Sequence, residues 1–289
     1  MSQPAFEIVN SILDIWKIAV QAIMFLVLWA AAFRGKKGKR DGIAAVLFIL
    51  ANIGIGFLPC TAWVRYGVSA FAIMGYAGIC YKKQIGKAVF VMLAFYNLHC
   101  LGYLMASSIY EKIINVMMKS LDMMQDSYLQ EMYHCMTVGM FCLVFAYSVL
   151  FVAMVLILYR LMKDVTIMAW QDVILLSILN FVGSMIANVV NGLLIVRINT
   201  DAFVLFDEKP DLLWKIPMIA LCIFAGEAAL IYFWQRYRIL LAERQKHFVE
   251  EQQVKAMKKR LEEAENFYGS ICKVRHEMKN HMANIKGLT

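Results

Sequence analysis

Close to the end of the chain, His276 is followed at once by Glu277 and, four residues on, by Asn280. If this stretch is a helix, four residues turn about 400°, so Asn280 shares the face of His276. An exposed imidazole is a competent nucleophile, and an adjacent carboxylate can orient it and accept its proton. An amide one turn away can position a water or a phosphoryl oxygen. That set is suited to phosphoryl chemistry. His281 falls at a seam-like position and is read as a packing residue. Two further ionisable groups, His99 and Glu227, lie deep inside apolar runs, where a charge is costly and by default marks a bundle interior or a site. By residue count they differ in depth by about one helical turn. A Glu227–His99 hydrogen bond is therefore open geometrically, and each residue either takes part in ligand or signal coupling or ties helices together.

The histidine stands on a tail that must be helical to align these groups. Val254, Met257, Leu261, Ala264, Tyr268 and Ile271 recur with 3-4 spacing, the a/d seam of a coiled coil, and charges such as Glu251 and Lys255 flank it at i,i+4. A helix of this kind is expected to form a homodimer. Two seams continue through the histidine region. One keeps the upstream register, with Arg275 as an interruption, then Met278, Met282 and Ile285. The other passes through Ile271, Val274, Met278, His281, Ile285 and Leu288. In both, His276 points away from the seam.

What carries the tail is apolar. Hydrophobic residues make up 61% of the 289 and charged residues 17%, with mean hydropathy +0.61, where soluble domains have roughly 45–50% and about 25%. Residues 236–289 hold 12 of the 29 basic and 7 of the 21 acidic residues. The expected organisation is a transmembrane sensor domain over 1–235, a coiled-coil signalling helix over 236–270 and the start of a histidine-bearing dimerisation helix over 271–289. The net charge of +8 sits in this tail and in short loops, which is the distribution of a membrane protein, so nucleic acid is not an expected partner. The cysteines show no metal-ligand spacing and are read as unpaired packing residues, a Cys60–Cys135 disulfide being the alternative.

Runs long enough to cross a bilayer lie near 12–33, 43–63, 66–81, 88–109, 135–159, 173–196 and 214–235. The second and third are separated only by Val64–Arg65 and read as a tight helical hairpin. The fold class expected is all-α, a bundle of about seven spans followed by a cytoplasmic coiled-coil helix. Five basic residues between Arg34 and Arg40, and Lys82, Lys83 and Lys87 in the next loop on that side, contrast with the acidic 110–134 and 197–213 connections. The positive-inside rule then puts the N-terminus outside and the C-terminus in the cytoplasm of a multi-pass cell-membrane protein. The N-terminus lacks the features of a cleaved signal peptide. Trp16, Trp29, Trp63, Trp170, Trp214 and Trp234 fall near span ends, where such rings settle at headgroups. Lys17 is read as snorkelling from an outer end, and Asn180, Asn188 and Asn191 as bonding between helices. The 110–134 segment has helical apolar spacing suited to lying on the membrane surface. With connections this short, a signal must be read by the bundle, its loops or the bilayer itself.

The run Arg275-His276-Glu277-Met278-Lys279-Asn280-His281 resembles the histidine box of AgrC-like, peptide-sensing histidine kinases, in which a membrane domain of six or seven spans feeds a dimerisation helix and a GHKL-type ATPase domain. The resemblance implies that His276 is the phosphoacceptor, Glu277 its acid/base neighbour and Asn280 a residue of phosphatase-type role. Glu277 stands where the family often has Asp, which keeps the carboxylate but changes its reach. It also implies an extracellular peptide or other small signal and a response regulator as partners. ATP and Mg are expected only with a GHKL domain, which does not follow within this chain, so no cofactor and no metal is expected of the chain itself. A non-enzymatic receptor, or a dominant-negative partner of a full-length kinase, is the alternative. A small-solute transporter using Glu227 and His99 is a third reading.

Overall fold

The computed structural model describes residues 3–33, 42–44, 46–51, 62–81, 84–119, 121, 128–163, 168–193, 195–198, 201–204, 206 and 209–286, without the side chains of 62–66, 195–198, 201–204, 281 and 283–286. Its elements are α1 (Gln3–Ala32), α2 (Gly42–Ala51), α3 (Ala62–Cys80), α4 (Ile85–Met118), α5 (Tyr128–Met162), α6 (Trp170–Leu193), β1 (Ile195–Ile198), β2 (Asp201–Val204) and α7 (Leu212–Lys286). Two compact units are present, Met1–Tyr232 and Phe233–Thr289.

Among the described residues five helices, α1, α4, α5, α6 and α7, are long and apolar enough to span a membrane. They cover the first and the last four of the expected spans. α2 and α3 are shorter apolar helices, and residues 52–61 of the expected second span lie outside the described residues. The turn expected at Val64–Arg65 is not there, because α3 begins at Ala62 and carries both residues within it. Neither Val64 nor Arg65 is a turn former, whereas Gly56 and Pro59 lie upstream in the sequence. An antiparallel ribbon begins just before the 197–213 connection and runs into it, with Ile195 opposite Val204 and Ile198 opposite Asp201.

The pattern of α6 shows which solvent the bundle is built for. After Val173 and Leu176, its inner face is small and polar, with Ser177, Asn180, Gly183, Ser184 and Ala187 buried. The large apolar side chains Ile174, Ile178, Phe181 and Val189 are exposed. A soluble helix has the reverse arrangement; in lipid, small and polar residues face other helices and large apolar ones face the acyl chains.

α4 is the central helix: 83% of its apolar window is buried, against 22–39% in the other four long helices. It packs against α1, α3, α5 and α6. With 34 and 35 residues, α4 and α5 are each about 50 Å long, well beyond the roughly 30 Å of a hydrocarbon core. Residues 110–118 are therefore not a separate surface helix but the last turns of α4, since no helix breaker interrupts its apolar spacing. Here Gly139 of α5 lies so close to α4 that a Cβ would sit 2.5 Å from Ile114 and 2.9 Å from Tyr110.

The opposite end of α4 is fixed by aromatic packing and one buried cation. Phe25, Trp29, Phe48 and Phe95 form a contiguous set of stacked, tilted and edge-on rings. Trp29 is fully buried and Trp234 is buried as well, so both are core residues and not interfacial anchors, whereas Trp16, Trp170 and Trp214 are exposed as anchors should be; the side chain of Trp63 lies outside the described residues. Lys87 is also buried and donates from Nζ to the Ala32 carbonyl at 2.8 Å. It thus caps the C-terminus of α1, where orphan carbonyls and the helix dipole favour a cation.

Candidate functional site

Residues two apart on a helix project about 200° from one another. Asn97 and His99 of α4 accordingly serve opposite sides of the bundle. The Glu227–His99 hydrogen bond that depth alone left open does not form, because their side chains face different neighbours.

On one side, the Asn97 amide lies 2.6 Å from Oε1 and 2.7 Å from Oε2 of Glu227 on α7. The same amide is 3.4 Å from Oδ1 of Asn180 on α6, whose own amide donates to the Leu176 carbonyl. Asn97 and Glu227 are 0% and 4% exposed, so this is a three-helix polar junction inside apolar surroundings. Its closeness requires Gly183: a Cβ there would lie 2.7 Å from the Asn97 oxygen and 2.8 Å from Oε1 of Glu227.

On the other side, His99 Nδ1 is 2.7 Å from the Tyr147 hydroxyl on α5 and 3.1 Å from Nε2 of Gln21 on α1. Gln21 also donates to the Tyr147 hydroxyl at 3.0 Å. When Nδ1 accepts from the Tyr147 hydroxyl, the shorter contact, the ring proton is on Nε2. Lys17 does not snorkel outward. Its ammonium lies 4.9 Å from the centre of the Tyr103 ring and 5.7 Å from that of Tyr147, within cation–π reach. Lys17, His99, Tyr103, Asn188 and Asn191 line a cavity of about 250 Å³. Asn188 and Asn180 both reach across to α4, as expected of amides within apolar runs; Asn188 contacts the Tyr96 hydroxyl at 3.1 Å and Cys100 Sγ at 3.2 Å.

His276, Glu277 and Asn280 lie on α7, all three exposed. Val274 and Met278, each two residues from His276, project to the other side of the helix and are 56% and 59% exposed. The upstream seam is equally open, with Val254 at 54%, Leu261 at 63% and Tyr268 at 72% exposed. The side chain of His281 and the position of Leu288 lie outside the described residues. Cys60 does as well, and Cys135 is a buried free thiol. Among the described residues no three His, Cys, Asp or Glu side chains come together as a metal site.

Sequence reasoning found His99 and Glu227 but not their partners Asn97, Gln21 and Tyr147, nor the need for Gly183. A signal was present: Gln21 and Asn97 are strongly polar residues within apolar runs, and such residues face the bundle interior. Comparison of the chain with protein-family models, curated proteins and solved structures gives no match.

Proposed function

We propose that this chain is the membrane sensor and phosphoacceptor part of a two-component histidine kinase of the AgrC-like type. It detects an extracellular signal, a small apolar peptide by that resemblance, and controls phosphorylation of His276. The observation that carries this reading is the His276–Glu277–Asn280 face on α7, turned away from an apolar seam and freely accessible. A nitrogen of His276 is the nucleophile that accepts the phosphoryl group, and the Glu277 carboxylate orients the ring and takes its proton. The Asn280 amide, on the same face, orients a water for the reverse reaction. The exposed seam is the dimer interface, since a row of large apolar side chains on a charged helix is stable once covered by a second copy. In this reading the N-terminus is extracellular and the tail cytoplasmic, where a GHKL-type domain supplies ATP and Mg and a response regulator takes the phosphoryl group. The polar junction at Glu227 lies on the helix that carries His276, so a change in the bundle has a covalent route to the tail.

The test is phosphotransfer in trans. The purified chain is mixed with an isolated GHKL ATPase domain active on its own partner and with labelled ATP, beside a His276→Gln control. Label on the unmodified chain and none on the variant is expected. No label on either overturns the phosphoacceptor role and leaves the non-enzymatic receptor, a partner that dimerises with a complete kinase, as the function.

A further inference from the structure

The junction at Glu227 brings a carboxylate into the bundle without a positive charge beside it. Among the described residues no ion pair engages Glu227, and its oxygens receive hydrogen bonds from the Asn97 amide. The junction also holds a second unmet group, since Oδ1 of Asn97 is buried without a hydrogen-bond partner among the described residues. These two oxygens border one space. Oδ1 of Asn97 and Oε1 of Glu227 lie 2.7 and 2.8 Å from the point where a Cβ on Gly183 would stand. A third oxygen, Oδ1 of Asn180, is 3.4 Å from the Asn97 nitrogen.

Three kinds of occupant meet these needs unequally. A water satisfies the Asn97 oxygen but leaves the carboxylate charge in surroundings of low dielectric, where it is costly. A proton neutralises Glu227, whose hydroxyl then donates to the Asn97 oxygen once that amide has flipped. The flip carries the amide nitrogen into the place of the unpartnered oxygen, so it moves the unmet group without removing it. A cation neutralises the carboxylate and accepts both oxygens as ligands. One carboxylate balances one positive charge, and a divalent ion would leave an excess charge buried. The ion is therefore monovalent. The absence of a side chain at Gly183 and the 2.6 and 2.7 Å contacts between Asn97 and Glu227 make the junction tight, which favours a small ion. Sodium is close in size to calcium, whose oxygen ligands stand at roughly 2.3–2.6 Å.

We infer that Glu227, Asn97 and Asn180 form a binding site for a monovalent cation, sodium in preference to potassium, between α4, α6 and α7. The ligands are oxygens of one carboxylate and two amides, one residue from each helix. Such an ion ties the central helix to α7 by charge as well as by hydrogen bonds. The site does not involve His276, so its failure leaves the phosphotransfer result standing, and the converse.

The experiment follows thermal unfolding of the full chain in detergent micelles containing sodium, potassium or choline chloride, at constant ionic strength and pH. A saturable rise in Tm with sodium is expected, of about 3 °C or more at a tenfold excess over the half-saturating concentration. Potassium should give a smaller rise at the same concentration. Glu227→Gln removes the charge yet still donates to a flipped Asn97 amide, so it should fold and lose the sodium response. Asn97→Ala removes one ligand and should raise the half-saturating sodium concentration by about tenfold or more. Circular dichroism and gel filtration check that both variants fold, and if Glu227→Gln does not, Asn97→Ala decides. The same Tm in all three salts, or an undiminished sodium response in the folded variants, overturns the proposal. Stabilisation by acidification with no response to sodium also overturns it and leaves a proton as the occupant.

Discussion

Asn97 presents its amide to both carboxylate oxygens of Glu227, at 2.6 and 2.7 Å, while its own side-chain oxygen is buried without a hydrogen-bond partner. One amide thereby joins the central helix to the helix that bears His276. Hydrogen bonds between membrane helices average about 0.6 kcal/mol and reach about 1.7. A contact this buried, with both oxygens engaged, belongs in the upper half of that range. A double-mutant cycle of Asn97→Ala and Glu227→Ala, followed by unfolding in mixed micelles, should return a coupling of about 1 kcal/mol. Strict additivity would mean that the pair is adjacent without being energetically linked.

Gly183→Ala should destabilise the bundle by about 1–3 kcal/mol, since the added methyl must displace Asn97 or Glu227 from a closely packed junction. Gly226→Ala is the matched control. It is next to Glu227 in sequence, yet a Cβ there meets nothing within 4 Å, and alanine is the better helix former by up to about 1 kcal/mol. Thermal unfolding of the two variants should therefore move in opposite directions.

Lys87→Met removes the cap on α1 and leaves the Ala32 carbonyl buried without this donor, at a cost of about 1–3 kcal/mol. Lys215→Met removes an ammonium that is 65% exposed and paired with Asp211 at 3.4 Å; exposed pairs contribute about 0–1 kcal/mol. Denaturation midpoints should separate the two lysines clearly.

Tail pairing can be read by oxidative crosslinking after Cys272→Ser removes the native thiol of the tail, with Cys222→Ser removing the other exposed free thiol among the described residues. Ile271→Cys belongs to both seams and should bridge two copies, whereas Lys273→Cys, about 200° away on the helix, should not. Val274→Cys and Met282→Cys each report one seam only. A ratio of these two crosslinks that changes with bound ligand would show a register switch, and a fixed ratio would show a static lever.

Length and hydropathy made the five long helices legible, because about 20 consecutive apolar residues have few other uses. Their ends were less legible. α4 runs past Ser108 to Met118 because amphipathic spacing continues there, and hydropathy marks where the hydrocarbon ends rather than where the helix does. Trp29 and Lys17 were misplaced for one shared reason: nearness to a span end was taken to mean contact with headgroups or solvent. Which way a side chain points depends on what packs beside it, and for these two the neighbours are Phe25, Phe33 and Tyr81, and Tyr103 and Tyr147. His99 and Glu227 stood out as single residues, but their partners are 48 to 130 positions away in sequence. The spacing of two between Asn97 and His99 implies the rotation that separates them, but it bears on Glu227 only once Asn97 is known to be its partner.

The Lys87–Ala32 contact also bears on how the protein is made. The donor is 55 residues downstream of the carbonyl that it satisfies. At synthesis rates of about 5–20 residues per second, α1 waits roughly 3–11 seconds for it. Throughout that interval the end of α1 holds an exposed acceptor that only water, headgroups or the insertion machinery can meet. The first helix therefore reaches its final seat only after the fourth begins to emerge, and a ribosomal pause placed between them would prolong the most vulnerable stage of assembly.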